Sequence, residues 1–125
     1  TSQQTFHNIV ADRGKSTFNG RIHIHAGARN SNANLSNKNI GLGANATINT
    51  KPELEIYNDD VSCSHGATIG QLDNDQLFYL CSRGVDPNAA RQLLCEGFLQ
   101  QCVGGPLADR ATAGLLEPLQ GLSIQ

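Results

Sequence analysis

The sequence predicts a mainly β body followed by a smaller α-helical part, with the change of character at Leu72. Three observations carry this. Residues 1 to about 60 alternate apolar and polar side chains and are rich in Asn, Thr and Gly. Beyond Leu72, apolar residues recur at helical spacing instead. Between the two regimes lies Lys51–Leu72, which holds the close Cys/His pair of the chain, Cys63 and His65.

In Arg21–Ala26, Ile22 and Ile24 share one face of a strand while Arg21, His23 and His25 share the other. Leu54 and Ile56 alternate with Glu53, Glu55 and Tyr57 in the same way, which predicts a second half-buried strand. Gly27-Ala28 and Gly43-Ala44 close comparable segments and read as turns. The segments repeat loosely, at roughly 16 to 23 residues. Eight asparagines lie between Asn30 and Asn58, although Asn is depleted in strands. Two readings stay open on the residues alone: a run of turns using the left-handed backbone that Asn tolerates, or stacked coils with Asn ladders at their corners.

The helical part is punctuated more sharply. Asp73-Asn-Asp-Gln76 has the form of a capping box; Leu77, Leu80 and Cys81 follow at helical spacing, and Gly84 suits the stop. Asp86-Pro87 is a second start, with Asp as cap and Pro at the first helical position. Ala90, Leu93, Leu94, Gly97 and Phe98 form the expected apolar stripe of that helix. Gly104-Gly105-Pro106 breaks it, and a weaker third helix is expected through Leu107, Ala111 and Leu115 to Pro118.

Composition narrows the function classes. The chain has 125 residues, 13.3 kDa, 16% charged residues and a net charge of −2, one domain's worth of core with no electrostatic case for nucleic acid. No apolar run approaches the length of a membrane span, and no secretory leader is expected at Thr1–Gly20. Cys63, Cys81, Cys95 and Cys102 are therefore expected as reduced thiols; none forms a C-x-x-C pair that would suggest zinc. Arg13-Gly-Lys-Ser-Thr17 fails as a phosphate loop, because the Gly required five positions before Gly14 is Ile9. The acceptor patterns Asn34-Leu-Ser36 and Asn45-Ala-Thr47 are expected to be chance.

On a strand, Cys63 and His65 point the same way, which sets a soft thiolate ligand beside an imidazole. The plainer alternative is that Cys63 packs as a small apolar residue and His65 is held by hydrogen bonds. A thiol nucleophile with His65 as base is a third reading, but no oxyanion donor or orienting carboxylate accompanies it. His23 and His25 could chelate a metal; a solvent-facing pair is the expectation.

The run TKPELEIYNDDVSCSHGATIGQLD from Thr50 to Asp73, followed by DQLFYL and SRG, resembles the C-terminal part of the SufB/SufD family of iron–sulfur cluster assembly proteins, and is closer to the SufD pattern. The likeness extends more weakly back to Ser16–Ile22 and forward to Ala90–Leu94. Cys81 stands where the family run carries Arg, and the sequence after Phe98 diverges.

The resemblance implies the last coils of a right-handed parallel β-helix over residues 1–72 and a helical C-terminal domain over 73–125, within a longer protein. It further implies a non-catalytic scaffold subunit working with a SufB-like partner. A SufC-like ABC ATPase would dock on the helices and hydrolyse the ATP. His65, with Cys63, would lie at the SufB-like interface and contribute to a transient iron–sulfur cluster. The location expected is cytoplasm or plastid stroma. An isolated fragment, with its open coil end unpaired, should pair with a copy of itself or aggregate. A purely structural β-solenoid module is the alternative.

Overall fold

Five strands and two helices follow one another along residues 1–103, the part of the chain that the computed structural model describes. They are β1 (Ser2–Ala11), β2 (Lys15–Ile24), β3 (Ser31–Leu42), β4 (Thr47–Ile56), β5 (Val61–Gly70), α1 (Asn74–Ser82) and α2 (Pro87–Gln100). The expected break at Gly104-Gly105-Pro106 and the third helix after it lie outside the described residues.

The odd strands form one sheet in the order β1-β3-β5, and the even strands pair as β2-β4 in a second. Every pairing is parallel. Parallel neighbours need a long crossover rather than a hairpin, and here each crossover is a strand of the other sheet. The chain thus visits the two sheets in alternation, a β-helix-like path. Ser2 lies beside Ala33, Lys15 beside Thr47 and Ser31 beside Val61, so each coil stacks in register on the next. A coil of this length, about 30 residues, is in the ordinary range for a stacked repeat. The shorter rhythm expected from the sequence corresponds to half a coil, from one strand to the next.

Side chains from the two sheets meet between them. The rings of Phe6 and Phe18 are 5.0 Å apart, and Val10, Ile24 and Leu35 are buried. Gly20 makes room at this point: a Cβ there would lie 2.7 Å from the Phe18 ring and 2.9 Å from Leu35. Ile24 is buried as the alternation requires, but Leu54 and Ile56 are 37% and 44% exposed. Both stand on β4, the last strand of its sheet, and among the described residues no further strand covers them.

The asparagines follow both readings at once. Asn30 adopts a left-handed φ of 53° in a turn, and Asn58 Nδ2 donates to Ala26 O at 2.5 Å, tying one corner to the next. Asn37 and Asn39, by contrast, are buried inside β3. Asn8 Nδ2 donates to Asn39 Oδ1 at 2.8 Å, and Asn39 Nδ2 donates to Asn37 Oδ1 at 2.6 Å and to Thr68 O at 2.9 Å. A ladder within the strands therefore joins β1, β3 and β5. For Asn39 these hydrogen bonds offset the desolvation that normally keeps Asn out of such positions, whereas Asn37 Nδ2 is buried without a partner among the described residues.

Both helix starts are set by side chains. Asp73 accepts from the backbone N–H of Asp75 at 2.8 Å and of Gln76 at 3.4 Å; Asp86 accepts from Asn88 at 3.0 Å and Ala89 at 3.3 Å, with Pro87 next in the first turn. The first helix ends on Gly84, φ +92°. Val85 N donates to Leu80 O and Gly84 N to Cys81 O, the paired bonds of a Schellman stop.

The second helix covers the outer face of the three-stranded sheet. Leu42, Cys95 and Leu99 form a buried cluster, with Ile9, Ala11, Ile40, Leu72 and Phe98 packed against it. His7 stacks on Phe98 at 4.5 Å, and its Nδ1 lies 2.8 Å from Phe98 O. The stripe is rotated from the one expected. Ala90, Cys95 and Leu99 are buried, whereas Leu93 and Gly97 are exposed. Contact with the sheet fixes the phase, and several faces of this helix carry small or apolar residues. Among the described residues, no helix is long and apolar enough to cross a membrane.

Candidate functional site

The site grows from the position of β5. It pairs with β3 along one edge only, so among the described residues the backbone groups along its other edge have no strand to meet. Alternation then decides which side chains face the space between the sheets. Leu35, Asn37 and Asn39 of β3 face inward and are buried. In register with Ala33, Leu35, Asn37 and Asn39 stand Cys63, His65, Ala67 and Ile69. All four carry the inward face of β5.

Three of them differ sharply in burial from their partners, while Cys63 is half-buried like Ala33. Leu35 is 3% exposed, while His65 beside it is exposed, Cys63 is half-buried and Ile69 is 56% exposed. With Leu54 and Ile56 of β4, Ile69 makes an uncovered apolar rim around the imidazole and the thiol. Such a surface, next to an unpaired strand edge, is what an incoming strand can cover.

Residues two apart on a strand are about 6.6 Å apart along it, so Cys63 and His65 share one face of β5. Among the described residues, neither side chain has a hydrogen-bond partner. The imidazole is therefore not placed as a base for the thiol, and nothing here builds a nucleophile. Two donors of the right kind face one opening. Among the described residues, no group of three or more His, Cys, Asp or Glu is placed to hold a metal ion, so a cluster here would take further ligands from elsewhere.

The remaining cysteines stand apart from this opening. Cys95 is buried under the second helix, and burial pushes its thiol pKa above the usual value. Cys102 Sγ lies 3.4 Å from Thr5 O, and Cys81 is half-buried on α1. All four cysteines are free thiols.

A second polar group occupies the outer face of the two-stranded sheet. His23 Nδ1 lies 2.7 Å from Glu55 Oε2, and Arg21 Nη1 donates to Glu55 Oε1 at 3.2 Å. Nε2 of His23 lies 3.2 Å from Nδ1 of His25. The His23 hydrogen bond, together with the charge of Arg21, holds the Glu55 carboxyl below its usual range. The histidine pair faces solvent as its alternation predicts, but the link to Glu55 was hidden. Glu55 is one coil away in sequence, and only the stacking of β4 on β2 places it beside His23.

The family described as "SUF system FeS cluster assembly, SufBD core domain" matches residues 1–98. The Escherichia coli (strain K12) iron–sulfur cluster assembly protein SufD is 44% identical over 97 residues, covering 78% of this chain and 23% of that protein. A Synechocystis iron–sulfur cluster assembly SufBD family protein is 47% identical over 90 residues, covering 72% and 20%. Protein ABCI7, chloroplastic, of Arabidopsis thaliana is 42% identical over 98 residues, covering 78% and 21%. The chain thus spans about a fifth of the length of the curated relatives it matches.

Proposed function

The chain belongs to the SufBD core family of iron–sulfur cluster assembly proteins, and from that premise we propose that it is part of a SufD-type scaffold subunit whose β5 edge meets a SufB-like partner. The observation that carries this is the inward-facing pair, Cys63 and His65, set at an uncovered strand edge without hydrogen-bond partners among the described residues. A strand or coil of the partner would continue the sheet beyond β5 and cover Ile69, Ile56 and Leu54. It would also close the space in which His65 and Cys63 meet ligands supplied by the partner.

In this reading the cluster is cargo. A neutral imidazole and a thiolate are both competent iron ligands, and a cluster usually takes four. This chain supplies at most two, and the partner the rest. No step of bond chemistry falls to its own residues: they hold iron or sulfide, orient it and exclude water. Hydrolysis of ATP belongs to a SufC-like ABC ATPase docked on the helical part, and its motion would open or shut the interface. The assembly would work in cytoplasm or plastid stroma, where thiols stay reduced.

A structural module without cluster chemistry is favoured by one observation, the same apolar rim, which an interface needs whatever its polar centre does. Anaerobic reconstitution of the full-length protein with its SufB-like and SufC-like partners separates the two. With His65→Ala, loss of iron and sulfide from an intact complex supports the assembly site. Unchanged content leaves the chain as architecture.

A further inference from the structure

We propose that His23 and His25 form a two-imidazole site for a divalent transition-metal ion on the outer face of the two-stranded sheet, with Glu55 holding His23 in its ligating tautomer. This does not rest on the cluster-assembly reading, and it concerns the other sheet and the opposite face.

The argument starts from alternation. Ile22 and Ile24 point between the sheets, so His23 and His25 point out together. Glu55 stands beside His23 in register, and its Oε2 lies 2.7 Å from His23 Nδ1. An ionised carboxylate only accepts, so the proton sits on Nδ1 and the lone pair of His23 is on Nε2. That lone pair points at Nδ1 of His25, 3.2 Å away.

This separation is the bite of a metal. With metal–nitrogen bonds of about 2.0–2.1 Å, two nitrogens of a tetrahedral ion lie ~3.3 Å apart, and two at a right angle ~2.9 Å apart. The observed 3.2 Å falls between them, so the two nitrogens already stand at chelating distance, and a turn of the rings that makes both lone pairs converge would admit an ion.

The surroundings favour such an ion over a chance contact. The carboxylate–histidine pair is the support that ligating histidines commonly have. Arg21 takes the other oxygen of Glu55, which keeps the carboxylate behind His23 rather than in the coordination sphere. The Tyr57 ring lies 5.3 Å from the His23 ring. Two imidazoles suit copper, nickel, zinc or iron, whereas calcium and magnesium demand oxygen donors. In the free pair His25 Nδ1–H donates to His23 Nε2. On binding, that proton passes to Nε2 of His25, so no net proton is released from the neutral pair. Solvent completes the coordination sphere.

The test is titration of the full chain with Cu(II), followed by calorimetry and by electron paramagnetic resonance. The variants are His23→Ala, His25→Ala, Glu55→Gln and the double variant Cys63→Ser/His65→Ala. One Cu(II) should bind with a nitrogen hyperfine pattern and with equal affinity in wild type and the double variant. Either histidine variant should abolish this signal, and Glu55→Gln should weaken binding by about 10-fold to 100-fold. Circular dichroism of these surface variants checks that the fold is unchanged. Three results would overturn the proposal: binding that survives both histidine substitutions, binding lost only in the Cys63/His65 variant, or a thiolate charge-transfer band in place of the nitrogen signal.

Discussion

Leu35 and His65 are neighbours in one register column of the three-stranded sheet, yet one is buried and the other exposed. The difference is the presence of the next strand. On the outer face of the same sheet, α2 supplies the cover, and Leu42, Cys95 and Leu99 close into a dry cluster. At the β5 edge, Ile69, Leu54 and Ile56 are as apolar as any core residue, but among the described residues nothing lies above them. A covered face contributes stability to the chain itself. An uncovered one contributes little to the chain itself and, in the reading proposed above, is left for a partner.

Substitutions can break or sharpen that contrast. Leu35→Ala should cost about 2–5 kcal/mol in denaturant unfolding, the range for opening a cavity in a packed site. Ile69→Ala, one coil out, should stay within about 0.5 kcal/mol in the isolated chain while weakening association with a SufB-like partner. Similar losses from the two would erase the distinction. Next in size comes Gly20→Val, whose added atoms meet Phe18 and Leu35; overpacking should cost about 1–3 kcal/mol by the same measurement. Asp86→Ala removes the cap of the helix that covers the outer face, and a loss of about 1 kcal/mol is expected.

The smallest effect concerns the half-buried Glu55. Its folded pKa is depressed, chiefly by the His23 hydrogen bond and then by Arg21, against a burial effect of opposite sign. A depressed carboxyl stabilises the fold above its unfolded pKa, and that contribution is lost as pH falls through the folded value. Thermal unfolding below about pH 4.3, the ordinary glutamate value, should therefore decline more steeply for wild type than for Glu55→Gln. Parallel curves would show that the surface pair is too well solvated to matter.

What the sequence disclosed depended on the range of the interactions. Asp73, Asp86, Pro87 and Gly84 act on backbone groups a few residues away, so both helix starts and the first helix's stop were legible. The face shared by Cys63 and His65 was legible too, since alternation is local. The coil length was not, because pairing across a whole coil leaves only a half-coil rhythm in the order of strands and turns. For the same reason Leu54 and Ile56 read as buried, Asn37 and Asn39 read as turn or corner residues, and Glu55 showed no sign of lying against His23. The phase of α2 was set by the sheet beneath it, which its own apolar pattern does not specify.

The most direct test of the central claim uses the two faces of β5 against each other. Iron and acid-labile sulfide would be measured per assembled complex after anaerobic reconstitution of the full-length protein with its partners. Wild type, His65→Ala and Ser64→Ala would be compared. Ser64 is adjacent to His65 but faces outward, where its hydroxyl accepts from Asn34 Nδ2 at 2.7 Å. Cluster content should fall with His65→Ala and hold with Ser64→Ala, all three complexes being intact. Wild-type content in the His65→Ala complex would contradict the claim and leave the inward face of β5 as packing alone.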